Sequence, residues 1–140
     1  MSEINDETLI GIDFGDTNIG IALGRNGFVA PLVTVTGKDR MLAINVIAKH
    51  AITNKASRII MGLPLDDKGL ETSQARKVRQ FAKLLKTRLK RPVEFINEHG
   101  STQESIKESI SQGIGPKGRR KIDHISAAII LKEYYQKEVK

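Results

Sequence analysis

Three acidic residues from separate parts of the 140-residue chain have the type and setting to do chemistry: Asp13, Glu98 and Asp123. Asp13 interrupts an otherwise apolar run, Leu9-Ile10-Gly11-Ile12-Asp13-Phe14-Gly15. A lone carboxylate in a buried strand is costly unless it has a partner. A metal ion is one such partner. A phosphate-binding hairpin is another, since Gly15 lets the backbone approach a ligand. A strand that simply ends at a solvated Asp13 is the third reading. Carboxylates drawn from separate segments suit Mg²⁺ or Mn²⁺, hard ions that prefer oxygen ligands and keep some of their waters. Two such ions would activate a water and stabilise the leaving oxygen of a phosphodiester. Plainer roles exist for each acid. Asp123 suits a helix N-cap, Glu98 an exposed position, and the adjoining His99 and His124 a solvated surface.

The acids can meet only if the fold brings their segments together. Residues 8–14, 18–24 and 28–36 read as three antiparallel strands. Asn26-Gly27 is a type I′ hairpin signal, and Pro31 suggests an edge position for the third strand. A helix over about 39–54 follows, with Met41, Ile44, Ile47 or Ala48, and Ala51 at helical spacing. Arg58 to Leu63 is a buried strand ending in Pro64 and the turn Asp66-Asp67-Lys68-Gly69. A helix over about 71–90 carries Ala75, Val78, Ala82, Leu85 and Leu89. Val93 to Asn97 is a fifth strand, which Glu98 directly follows. Ser101 and Glu104 form a capping box for a helix ending near Gln112-Gly113. The loop 113–118 leads to a last helix over about 122–137, which Asp123 opens. This order predicts an α/β fold with a five-stranded mixed sheet flanked by helices, antiparallel in its first three strands and parallel in its last two. Ligands collect at the carboxyl ends of strands in such sheets.

The length fits one domain, residues 1–140, with residues 1–7 as a disordered tail. A hydrophobic content of 39% with 28% charged residues describes a globular chain, not a disordered one. No apolar stretch approaches the roughly 18–20 residues that span a bilayer. The polar, acidic start is no secretory signal, so the expectation is a cytoplasmic protein with no membrane partner. The absence of cysteine excludes disulfides and thiolate zinc sites. The net charge of +7, from 23 basic and 16 acidic residues, favours nucleic acid as partner. Basic residues concentrate in two tracts. The first, Arg76 to Arg91, reads as a solvated helix face. The second, Lys117-Gly118-Arg119-Arg120-Lys121, lies in a glycine-rich stretch expected to be mobile without ligand.

Several blocks in order carry a family resemblance: Ile12-Asp13-Phe14-Gly15 with Ile19-Gly20-Ile21-Ala22, Gly62-Leu63-Pro64-Leu65, Asn97-Glu98-His99-Gly100-Ser101-Thr102, and Lys117-Gly118 with Ile122-Asp123-His124-Ile125-Ser126-Ala127-Ala128. From about Leu9 to Tyr135 the chain resembles the YqgF-type family, Holliday junction resolvases also described as pre-16S ribosomal RNA nucleases. The resemblance implies a ribonuclease H-like fold related to the RuvC resolvases. It implies catalytic, metal-binding roles for Asp13, Glu98 and Asp123, with Asp13 bridging the ions. Gly62-Leu63-Pro64-Leu65 would shape the cleft wall. Lys117, Arg119, Arg120 and Lys121 would hold the nucleic-acid backbone, positioning without reading sequence. Thr17 stands where the family usually has a basic residue. His99-Gly100 stands where it has an arginine followed by a large apolar residue.

The implied activity is Mg²⁺- or Mn²⁺-dependent cleavage of structured RNA or branched DNA, with processing of the 5′ end of pre-16S rRNA ahead of junction resolution. A four-way junction needs two symmetric cuts and hence a dimer. No dimerisation stripe is visible, so a monomer is expected. Two alternatives belong to other classes. One is a nucleic-acid-binding module without catalysis, because a fold does not guarantee an active site. The other is an ATP-binding domain, since Gly11 to Asn18 is similar to the first phosphate loop of the actin, Hsp70 and sugar-kinase superfamily. Those proteins clamp nucleotide between two lobes, whereas this length supplies one sheet and no second phosphate loop.

Overall fold

A computed structural model of the chain describes residues 7–99 and 116–138, and the side chains of residues 7–98 and 125–137. Five strands, β1 (Thr8–Phe14), β2 (Asn18–Arg25), β3 (Phe28–Thr36), β4 (Ala56–Leu65) and β5 (Val93–His99), form one sheet in the order β3-β2-β1-β4-β5. The β1, β2 and β3 strands are antiparallel, while β1, β4 and β5 are parallel. Three described helices complete the layers: α1 (Arg40–Thr53), α2 (Ser73–Leu89) and α3 (Pro116–Glu138). Among the described residues, no helix is long and apolar enough to cross a membrane.

Local chemistry explains the meander. Asn26 and Gly27 have φ of +53° and +84°, the left-handed pair that a type I′ turn requires. Pro31 lies on the edge strand, where the register shifts between Ile21 and Ala22 of its partner. Alternation along the central strand then divides the core. Ile10, Ile12 and Phe14 face α1 and α2 together with Ile59, Met61 and Leu63. Leu9, with Ala22, Ile60 and Ile96, faces Ala127, Ile130, Leu131 and Tyr134 of α3. Gly11 and Asp13 share the parity of Leu9, so they belong to the α3 face.

The first two helices have side-chain N-caps. Asp39 Oδ1 accepts the Leu42 N–H at 3.0 Å, and Thr72 Oγ1 accepts the Ala75 N–H at 3.1 Å, each contributing about 1 kcal/mol. The buried face of α1 is Ala43, Ile44, Ile47, Ala48 and Ala51, while Met41, expected on that stripe, is 61% exposed and lies off it. Phe81 joins the expected apolar face of α2 and stacks on Phe14 with ring centroids 4.9 Å apart.

Several boundaries differ from expectation. β4 runs from Ala56 through Pro64 to Leu65 instead of from Arg58 to Leu63. Pairing with β1 ends at Ile12–Met61, so the missing Pro64 N–H removes no bond on that side. β5 continues to His99, which puts Glu98 inside the strand. α3 begins at Pro116, not near Ile122. Proline suits a first helical position, because its fixed φ is preset and its absent N–H would lack a partner there anyway. Glu7, assigned to the tail, is instead paired with Arg58 at 2.6 Å. The helix expected from Ser101 to about Gln112, and residues 113–115 of the expected loop, lie outside the described residues.

Arg58 fastens the amino-terminal end of the parallel strands. Its guanidinium donates to both carboxylate oxygens of Glu7, to Glu94 and to the Tyr134 hydroxyl. The Glu7 bond above all holds the arginine above its usual range. These bonds tie β1, β4, β5 and the far end of α3, and so set how α3 lies across the sheet.

Candidate active site at the carboxyl rim of the sheet

β1, β4 and β5 are parallel, so their carboxyl ends share one rim. Asp13 is the penultimate residue of β1 and is half-buried there. The β1–β4 pairing runs to Ile12–Met61. One step further along both strands, Asp13 stands beside Gly62, about 4.8 Å away at the usual strand spacing.

Glu98 reaches the same place from β5. Its side chain leaves its own strand and lies over β4. A Cβ built on Gly62 would sit 2.5 Å from Glu98 Oε2, 2.8 Å from its Cδ and 2.9 Å from Ile130 Cδ1. A glycine is therefore needed at 62 to admit the carboxylate. Glu98 is only 8% exposed, which corrects its reading as an exposed glutamate. The carboxylate of the outer parallel strand is thus turned inward across Gly62, toward the strand that carries Asp13.

The third acid lies in α3. At Gly11 an added Cβ would meet Leu131 Cγ at 2.5 Å and the Ala127 carbonyl oxygen at 2.9 Å; at Gly24 it would meet Tyr135 Oη at 2.9 Å and Leu131 Cδ1 at 3.2 Å. Gly24 pairs with Leu9. Read from Tyr135 to Ala127, the helix therefore advances along β1 toward the rim. Asp123 is one turn beyond Ala127, about 6 Å along the axis. Gly11 to Asp13 is about 6.6 Å along the strand. The backbone of Asp123 thus comes level with Asp13, on the same helical stripe as Ala127 and Leu131. It sits within the helix and not at its start, so the N-cap role is excluded.

Asp13 and Glu98 offer hard oxygen donors on one face, with the backbone of a third carboxylate residue approaching, a donor set that fits Mg²⁺ or Mn²⁺. Among the described residues, no three His, Asp or Glu gather into a metal-binding group; the side chain of Asp123 is outside that set. Lys117, Arg119, Arg120 and Lys121 belong to the first turns of α3. The basic tract is therefore helical, not a glycine-rich loop, even though Gly118 costs the helix about 1 kcal/mol.

The residue pattern alone missed a neighbouring feature. A groove of about 340 Å³ is lined by Thr17, Asn18, Thr34, Val35, Thr36 and Lys38. Asp13 pairs with Gly20, and Gly20 with Thr34. No side chain stands between the carboxylate and the threonine in that row. Alternation of Thr34 and Thr36 with Val33 and Val35, a period of two, was the available signal for hydroxyls on the Asp13 face.

Comparison with known proteins agrees with this architecture. A family model described as RuvX, Holliday junction resolvase, matches residues 7–137. A Chloroflexus aggregans protein named "Putative pre-16S rRNA nuclease" is 31% identical over 134 residues, covering 94% of each chain. A Prochlorococcus marinus protein of the same name is 31% identical over 137 residues, covering 96% of this chain and 89% of its own. Among solved structures, Thermus thermophilus RuvC in complex with a Holliday junction substrate superposes with a TM-score of 0.59 at 12% identity, covering 96% of this chain and 97% of its own. The fowlpox virus resolvase bound to junction DNA gives 0.52 at 12% identity, covering 95% and 99%. At these identities the structural likeness speaks for the fold: a ribonuclease H-like sheet of the RuvC kind.

Proposed function

The chain belongs to the RuvX family of Holliday junction resolvases, and from that premise we propose that it is a metal-dependent endonuclease trimming the 5′ end of pre-16S ribosomal RNA. The observation that carries the reading is the Glu98 carboxylate, drawn over Gly62 toward Asp13 at the rim. A buried carboxylate held in that way suits a cation better than solvent. When bound there, Mg²⁺ or Mn²⁺ would supply the Lewis acidity that activates a water and stabilises the leaving oxygen. Asp13, placed between the β4 and β2 sides of the site, would supply the central carboxylate ligand. Glu98 and Asp123 would complete the shell from either side.

RNA is favoured over junction DNA by relatives named for pre-16S rRNA that match nearly the whole chain. Junction resolution is the second reading, favoured by the family description. Purified protein should be offered a 16S precursor and a four-way junction side by side, with either metal, and its mass measured in solution. A monomer that cuts the precursor is the expected result. A dimer that cuts only the junction overturns the RNA assignment, and failure to cut either substrate overturns the enzyme.

Lys117, Arg119, Arg120 and Lys121 approach the same rim along the first turns of α3 and would hold backbone phosphates. Arg119→Ala with Arg120→Ala should lower nucleic-acid affinity and reduce the slope of log K against log salt by about 2, roughly one unit for each contact. Filter binding across a salt series checks this; an unchanged slope returns the tract to a solvated helix end.

A further inference from the structure

The positive charge of the molecule is not spread over it. Residues 76–91 hold eight basic side chains and no acidic one, leaving fifteen basic and sixteen acidic residues elsewhere. The whole excess of +7 resides in α2 and the two residues that follow it. Five of these residues, Arg76, Arg79, Lys83, Lys86 and Lys90, recur at steps of three and four. They form one exposed stripe along α2, near whose start the Arg79 guanidinium lies over the Phe95 ring of β5, 5.0 Å from its centroid.

Such a stripe works against the helix that bears it, because like charges three and four residues apart repel. Among the described residues, acids relieve it only at the amino-terminal end. Arg79 pairs with Glu71 at 2.7 Å, and Lys77, beside the stripe, pairs with Asp16 at 3.2 Å. Among the described residues, Lys83, Lys86 and Lys90 have no acidic partner within ion-pair distance. Lys90 also adopts the left-handed conformation, φ +56°, that closes the helix, a position where glycine is the usual residue. The last charge of the row is retained at a backbone cost.

The stripe also begins at a telling place. The Thr72 hydroxyl donates to the Pro64 carbonyl, the Gln74 amide to the Phe14 carbonyl, and Lys77 to Asp16. The first turn of α2 is thereby fastened to the rim that carries Asp13. From there the stripe runs about 21 Å, fourteen residues at about 1.5 Å each, over the layer opposite α3. That length follows several successive phosphates of one duplex strand, spaced about 3.4 Å along the axis.

We propose that the outer face of α2 is a second nucleic-acid site, which holds the phosphate backbone of substrate flanking the rim. The proposal rests on the nucleic-acid reading of the protein but not on catalysis. Its test is direct binding of duplex RNA across a salt series, without divalent metal and in an Asp13→Asn background. Lys83→Gln, Lys86→Gln and Lys90→Gln together should weaken binding by about 10- to 100-fold and lower the salt slope by about 3. Arg25→Gln, Lys49→Gln and Lys55→Gln remove the same charge from other exposed positions, and should change the slope by less than half as much. Equal losses in the two triple variants would mean that net charge alone acts, and would overturn the proposal. So would an unchanged slope in the α2 variant. Loss of binding to phosphatidylserine vesicles with RNA binding retained would assign the stripe to a membrane surface and overturn it as well. Because cleavage is not read, a wild-type protein that binds through α2 but cuts nothing would sink the nuclease and leave this site standing.

Discussion

Asp13→Asn should abolish cleavage while leaving the fold and nucleic-acid binding intact. Asparagine keeps the size of the side chain and the strand geometry, so the β1 pairing with β2 and β4 loses nothing. What disappears is one full negative charge at the position that Glu98 is turned toward. A cation held at this rim would contribute several kcal/mol to the transition state, so losing it corresponds to a fall in kcat of about 10³-fold or more. Nucleic-acid affinity measured without metal should stay level or rise slightly, because a carboxylate near the phosphate path has been neutralised. Thermal unfolding should be unchanged, since Asp13 lies at the rim and not among the apolar residues of either core layer. Single-turnover cleavage with Mg²⁺ and with Mn²⁺ provides the measurement. A variant that still cuts within tenfold of the parent would remove Asp13 from the chemistry.

Asp13 could be read from the sequence because its anomaly is local: one carboxylate in an Ile- and Leu-rich strand. The hairpin was legible for the same reason, since Asn26-Gly27 encodes its own backbone conformation. Glu98 was harder. Its neighbours in sequence, Asn97 and His99, are polar, and nothing local says that the strand continues through them. The continuation comes from β4, which extends past its pairing with β1 and offers Leu63, Pro64 and Leu65 as partners for Asn97, Glu98 and His99. That is a long-range effect, in which one strand end is stabilised by another. The start of α3 failed in a different way. Glycines at 113, 115 and 118 weigh toward a loop, yet Pro116 suits a first helical turn and the apolar stripe beyond it anchors the helix on the sheet. Packing at Ala127 and Leu131 outweighed propensity at Gly118. Asp123 consequently moved from an expected cap to the helix interior, where Ala127, one turn further on, rests on Gly11.

Gly62→Ala is expected to separate activity from stability. The added methyl would fall 2.5 Å from Glu98 Oε2 and 2.9 Å from Ile130 Cδ1. Both are ends of flexible side chains, so relief comes from moving them and not the backbone, and the cost in stability should stay near 1 kcal/mol. The carboxylate is what has to yield. A displacement of about 1 Å at a reacting centre costs on the order of 10²-fold in rate, and that is the loss expected in kcat at saturating metal. Gly11→Ala gives the opposite pattern. Its methyl would meet the Ala127 carbonyl oxygen at 2.9 Å as well as Leu131 Cγ at 2.5 Å, and a backbone oxygen retreats only if α3 lifts from the sheet. That variant should lose about 1–3 kcal/mol in urea unfolding, with kcat reduced less than in Gly62→Ala so long as it stays folded. The comparison tests the reason for each glycine: Gly62 makes room for a carboxylate, and Gly11 makes room for a helix. Full activity in Gly62→Ala would mean that the Glu98 carboxylate does not act from its place over β4, and the carboxylate pair proposed with Asp13 would fall with it.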